Sequence, residues 1–173
     1  VSDQPAEAAA LMQETQGELR GLIGEIRTYV YGLRDGDASV DLRPALERLV
    51  AEFPSGPPSI ALAIAGEPRL PAAKAANVLH IVREAAANAL RHGHASHVWI
   101  GVTQGPDTLA VRVRDDGKGF DAGLPSSGFG MRDMHERAGW CRCELEVHST
   151  PGEGTSVRIE IPLEVGATDG APR

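Results

Sequence analysis

Two parts of the chain alternate apolar and polar residues with a period of two and fold back across short turn sequences. HVWIGVTQ (97–104) meets TLAVRVRD (108–115) through Gly105-Pro106-Asp107, and CELEVHS (143–149) meets TSVRIEIPL (155–163) around TPGEG. Alternation places one face of each strand in a core and one in water, and short turns make the pairs antiparallel hairpins. Between and before the hairpins the period changes to that of a helix. PAAKAANVLHIVREAAANALRHG (71–93) has Pro71 at its start and Gly93 at its end, and MRDMHERAG (131–139) carries a shorter helical pattern. Upstream, SIALAIAG (59–66) reads as a strand, and DLRPALERLVAEF (41–53) as a helix with Asp41 as N-cap. The order helix, strand, helix, hairpin, helix, hairpin predicts an α+β two-layer sandwich, with helices covering one face of a mainly antiparallel sheet, rather than a doubly wound fold.

A chain of 173 residues has the size of one ordinary domain with room for an extension. Its 42% apolar and 24% charged residues match a folded protein, and with 4% aromatics the core falls to Ala, Val, Leu and Ile. Net charge −7 leaves no electrostatic footprint for nucleic acid. Apolar stretches fall well short of the ~18 residues of a membrane span, so no membrane contact by this piece and a cytoplasmic location are expected. The first residue is Val1 rather than Met, which suggests a piece of a longer protein with any sensor or membrane anchor upstream. Residues 6–34 read as one long helix with a narrow stripe at Leu19, Leu22, Ile23, Ile26 and Val30, a stripe that needs another helix to cover it. The expected organisation is a helix and linker over 1–38, a domain over 39–165, and a frayed tail over 166–173. Cys141 and Cys143 lack zinc-like partners and read as two small thiols in a reducing compartment; Trp140 reads as a packing anchor.

Three segments carry chemistry. On the 71–93 helix, Asn77, His80, Glu84, Asn88 and Arg91 form one stripe, opposite Val78, Val82, Ala85, Ala86 and Ala89. That polar stripe is either solvated surface or the floor of a site, and Glu84 with Asn88 at i and i+4 sets two hard oxygen donors side by side. The second segment is Asp115-Asp116-Gly117-Lys118-Gly119-Phe120, where a strand ends in a carboxylate and glycines allow the backbone to approach a flat ligand. Asp116 reads as a turn former and Lys118 as exposed. The third, Gly128-Phe129-Gly130-Met131, opens a helix and offers amides and a positive dipole end to a phosphate, although a flexible linker would look similar.

Taken together, in order and spacing, these segments resemble the ATP-binding domain of the GHKL ATPase superfamily, the Bergerat fold, and within it the catalytic domain of two-component sensor histidine kinases. REAAANALRHG is similar to the N box, DDGKGF to the first glycine box, GFGMRDMHERA to the second, and PGEGTSVRIEIP to the closing strand motif, over roughly 72–163. The short interval between glycine boxes and the G-x-G-M-R-x-M-x-E-R-A pattern resemble the NarL-partner class. The resemblance implies that Asn88 binds magnesium, with Glu84 positioning a metal water or assisting proton transfer. It further implies that Asp115 holds the adenine amino group, that Gly117 and Gly119 let the backbone pass the base, and that Gly128, Gly130 and Met131 belong to a lid over the phosphates. Arg132 becomes a phosphate contact and Thr155 a hydroxyl support at the adenine end. ATP and Mg2+ are the implied ligands. The implied partners are a response regulator, a first dimerisation helix carrying the phosphoacceptor histidine, and a second copy in the full-length protein. GELRGLIGEIRTYVYGLR is similar to the second helix of that dimerisation bundle.

No histidine precedes His80, so the acceptor histidine expected on a first bundle helix is absent here. His80, His92, His94 and His97 lie in or after the N box, where nucleotide binding or helix capping explains them, and His135-Glu136 is a poor acceptor pair on the lid helix. The expected activity is transfer of the ATP γ-phosphoryl to a histidine supplied elsewhere, without autophosphorylation by this piece alone. Alternatives are a serine kinase of the anti-sigma type, against which the long N-terminal helix argues, and an ATP-sensing interaction module without transfer.

Overall fold

The computed structural model describes residues 39–53, 56–121 and 129–163. The predicted helix over 6–34, the tail and Gly128 lie outside the described residues. The chain proceeds through β1 (Ser39–Asp41), α1 (Arg43–Ala51), β2 (Ser59–Ala65), β3 (Arg69–Pro71), α2 (Ala72–Arg91), β4 (His97–Gln104), β5 (Thr108–Asp115), α3 (Phe129–Cys141), β6 (Glu144–Thr150) and β7 (Gly154–Pro162). β2, β4, β5, β7 and β6, in that order, form a five-stranded sheet, and β1 pairs with β3 in a separate ribbon. The two hairpins, β4 with β5 and β6 with β7, are antiparallel, as is the pairing of β5 with β7 that joins them.

β2, whose direction the sequence pattern leaves open, pairs parallel to β4, Ile60 opposite Val98 and Leu62 opposite Ile100. The reason is the connection: β2 reaches β4 through α2, the crossover that a parallel pair requires and a hairpin cannot supply. The β1–β3 ribbon, Val40 opposite Leu70, is a second feature that the pattern of the sequence does not announce. Asp41 acts one position off the expected cap. The helix begins at Arg43 with Leu42 as its N-cap, and Asp41 Oδ1 accepts the Arg43 amide at 2.9 Å.

One face of the sheet carries the core. Val98, Ile100, Val102, Leu109, Val111, Val113, Val157, Ile159 and Ile161 point to the helices, while the alternate positions of the same strands, among them Trp99, Thr103, Arg112 and Arg114, face out. α2 lies on this apolar face through Val78, Ile81, Val82, Ala85, Ala86 and Ala89. Its alanines let a 20-residue helix sit close to both the sheet and α3, which buries Met134 and Ala138. At its other flank α2 is tied to the end of α1, where Arg83 donates to Glu52 Oε1 at 3.0 Å. Among the described residues no helix is long and apolar enough to cross a membrane.

Ile81 is fully buried between α2 and the sheet, whereas Thr103 stands on the outer face. Ile81→Ala should cost about 2–5 kcal/mol of unfolding free energy and Thr103→Ala no more than about 0.5 kcal/mol, read from urea midpoints.

Candidate nucleotide site

The site is assembled around the C-terminal half of α2. Gly93 follows the C-cap of α2, its amide hydrogen-bonded to the Asn88 carbonyl at 2.9 Å, and its own carbonyl accepts the Lys118 amide at 2.8 Å. The loop after β5 therefore rests on the end of the helix that carries Glu84 and Asn88. A Cβ on Gly117 would stand 2.6 Å from the Gly93 oxygen, so this docking needs glycine. On its far side the loop meets the β6–β7 turn. Gly119, at φ +59°, lies against the Thr150 carbonyl, and the Gly152 amide donates to the Lys118 carbonyl at 2.7 Å.

Asp115 ends β5 and is 5% exposed. Its Oδ1 accepts the Gly117 amide at 2.8 Å, and among the described residues no donor is bonded to Oδ2. A carboxylate held by one backbone amide with its second oxygen unclaimed suits recognition of an amino group in a desolvated position. Gly154, at φ +80°, packs onto the Asp115 backbone where any side chain would collide with it. The Thr155 hydroxyl lies 3.0 Å from Ser149 Oγ; that oxygen donates to the Gly154 carbonyl and accepts the Phe120 amide at 2.9 Å. Thr155 thus supports the end of the loop through Ser149, a partner given by the cross-strand register rather than by sequence proximity.

Asp116 does more than form a turn. Oδ1 accepts the Ser96 and His97 amides, each at 2.8 Å, and Oδ2 lies 2.8 Å from His97 Nδ1, which pins the loop to the start of β4. The His97 ring holds the Asp116 carboxyl below its ordinary value of 3.8, followed by the His97 amide and, more weakly, the Ser96 amide, with slight burial opposing them. Its sequence neighbour Asp115 hides this role, because the partners of Asp116 lie 19 and 20 residues away.

Glu84 and Asn88 meet the first turn of α3. Gly130 is the second residue of that helix, inside it rather than ahead of it, and a Cβ there would overlap Glu84 Oε1 and come within 3.3 Å of Asn88 Nδ2. The carboxylate and amide consequently share one small space beside the helix start, a donor set that fits Mg2+ or its waters. Among the described residues no group of three or more His, Cys, Asp or Glu side chains forms a metal cluster. Met131 is half-buried in the next position. Arg132 instead turns along its own helix, with Nε 2.9 Å from Glu136 Oε1. Lys118 is exposed, as is Phe129. His92 is the C-cap of α2 and His94 adopts φ +52°, in keeping with capping roles.

Three expectations require correction. Asn77 is buried rather than part of a wet stripe, because α3 covers it and Arg137 Nη1 reaches its Oδ1 at 3.4 Å. Trp140 is 64% exposed and not a packing anchor; the Arg137 guanidinium lies 5.7 Å from its ring. Cys141 and Cys143 are joined as a disulfide across Arg142 rather than standing as two independent thiols. Arg142, at φ +53°, turns the chain sharply between α3 and β6 and brings the two cysteines to a Cα separation of 5.4 Å.

A mainly antiparallel five-stranded sheet, covered on one face by helices, with candidate ligand-binding groups on one helix and on loops at its end, defines a two-layer α/β sandwich. Residues 73–165 match the family described as Histidine kinase-, DNA gyrase B-, and HSP90-like ATPase, more than half of the chain, and the chain belongs to that family. Relatives include the nitrate/nitrite sensor protein NarX of Escherichia coli, 31% identical over 95% of this chain and 28% of NarX. The sensor protein VraS of Staphylococcus haemolyticus is 29% identical over 88% of this chain and 42% of VraS. The chain therefore spans less than half the length of these curated relatives. Among solved structures, the histidine kinase domain of a blue-light activated kinase from Erythrobacter litoralis superposes with a TM-score of 0.64, at 21% identity, covering 94% of this chain and 89% of that one.

Two measurements probe this geometry. A carboxyl with a lowered folded-state pKa stabilises the fold above its unfolded value, and that contribution disappears as pH falls through the folded value. Asp116→Ala should therefore lower the urea midpoint at pH 7, with the difference from the unaltered chain shrinking below about pH 3.8. Gly139 offers a control within α3, since nothing lies within 4 Å of a Cβ there. Gly139→Ala should stabilise by about 0.5–1 kcal/mol, and Gly130→Ala should gain less or lose stability because Glu84 must move. Equal gains in thermal denaturation would show that Glu84 does not rest on Gly130.

Proposed function

We propose that this chain is the ATP-binding catalytic portion of a sensor histidine kinase of the NarL-partner class. The observation that carries this is Asp115, a buried carboxylate with one oxygen spare, set in a loop docked on the helix that holds Glu84 and Asn88. In this reading Asp115 accepts the adenine amino group while the backbone at Gly117 and Gly119 passes beside the base. Asn88 and Glu84 hold Mg2+ and its waters, and the ion, when bound, neutralises phosphate charge. Gly128, Gly130 and Met131 supply lid backbone near the phosphates, and Arg132 joins them once it leaves Glu136.

The γ-phosphoryl passes to a histidine nitrogen: the N–P bond forms as the bond to the β,γ-bridging oxygen breaks, and ADP leaves. In the same reading Glu84 orders water or takes a proton at this end of the pocket. Positioning and charge neutralisation account for most of the acceleration in such a transfer. The receiving histidine belongs to a dimerisation helix outside this sequence, residues 6–34 supply the second helix of that bundle, and a response-regulator aspartate takes the phosphoryl group next. The division into 1–38, 39–165 and 166–173, a dimeric full-length protein and a cytoplasmic placement of this portion belong to the same proposal.

Titration calorimetry with Mg-ATP tests it. The unaltered chain should bind, Asp115→Asn should weaken binding about 10-fold or more, and Asn88→Asp should change the dependence on magnesium. A supplied first bundle helix bearing histidine should become phosphorylated. An unaltered chain that binds no ATP would remove the kinase reading; binding without transfer would favour an ATP-sensing module.

A further inference from the structure

The seam between α2 and α3 contains a set of polar contacts that the nucleotide reading leaves unused. Passing down α2 from Glu84 to His80 to Asn77, the partners on α3 are Gly130, Asp133 and Arg137 in turn, so the helices run antiparallel in one register. His80 Nε2 lies 2.7 Å from Asp133 Oδ2, and the same oxygen accepts Arg137 Nε at 3.0 Å. Arg137 reaches on to Asn77 Oδ1, and Asn77 Nδ2 donates to the Ala73 carbonyl at 3.0 Å. Arg137 and Asn77 are both under 10% exposed, so they must be paired to be tolerated there.

The apolar part of the same seam, Met134 and Ala138 against α2, is non-directional and does not by itself select an axial position. Hydrogen bonds do, because a slip of one residue moves a helix about 1.5 Å and breaks each of them. We propose that His80 and Asp133, backed by Arg137 and Asn77, are positioning residues that set the register of α3 on α2 and so keep the Gly130 backbone against Glu84 and Asn88. The consequence for the phosphate end of the pocket rests on the nucleotide-site reading above; the register itself does not. His80 acts through α3 in this role.

The experiment uses the full chain with His80→Ala, Asp133→Ala, and the two combined, a cycle that isolates the coupling between the pair. Amide hydrogen exchange without nucleotide should rise about 5- to 20-fold over Asp133–Arg137 in each single variant, with β4 and β5 unchanged, and rise no further in the combined variant than in Asp133→Ala alone, because the partner of His80 is then already gone. Mg-ATP affinity should follow the same pattern, weakened about 5- to 20-fold in the single variants and no further in the double. Unchanged exchange over α3 in the single variants overturns the inference whatever the nucleotide does. Loosened exchange with ATP affinity unaltered overturns its link to the pocket. Failure of the unaltered chain to bind ATP counts against the nucleotide reading, while the exchange data still decide the register.

Discussion

The burial of α2 between the sheet and α3 is the interaction on which the rest of the structure depends. A single helix must present Val78, Ile81, Val82 and the small side chains of Ala85, Ala86 and Ala89 to the sheet while also meeting α1 through Arg83 and α3 through Asn77, His80 and Glu84. Small residues make this possible, since they let backbones approach at the packing density of a protein interior. Because α2 is held on several sides, the position of its last turn is set by packing. Gly93, just past the helix end, ties the loop after β5 to that position through one carbonyl.

That loop is gripped from opposite directions, by Gly93 and Asp116 on the α2–β4 side and by Thr150, Gly152 and Gly154 on the β6–β7 side. The result is an acidic side chain, Asp115, kept buried with limited hydrogen bonding at the end of a strand. A buried carboxylate persists only when the surrounding structure overdetermines its position. The repeated glycines are the means of doing so: Gly117 admits the Gly93 oxygen, and Gly154 leaves room for the Asp115 backbone. Pairs of glycine and backbone oxygen thus replace the side-chain packing used elsewhere in the fold.

Glu84 and Asn88 are organised differently. Glu84 and Asn88 are placed by helix periodicity alone, but what closes over them is the start of α3, which reaches them because Gly130 lacks a side chain. The site therefore has one half built into the sheet and its turns, and one half that depends on how two helices are aligned. The two halves therefore differ in how they are held, one by backbone contacts of turns and the other by helix-to-helix packing.

The sequence by itself determined the two hairpins, the three helices within the described residues, the alternation that sends one side of each hairpin strand into the core, and the grouping of Glu84, Asn88, Asp115 and the glycines as candidate site residues. These are legible because periodicity and turn chemistry act over a few residues. Only the tertiary structure decided that β2 runs parallel to β4, that Asp116 anchors to Ser96 and His97, that Asn77 is buried under α3, and that Trp140 stands exposed. Each of these depends on a partner far away in the chain, or on whether such a partner covers the residue. Long-range pairing is chosen by the packing of whole elements, and no local pattern in Asp116 or Trp140 encodes which surface will arrive beside it.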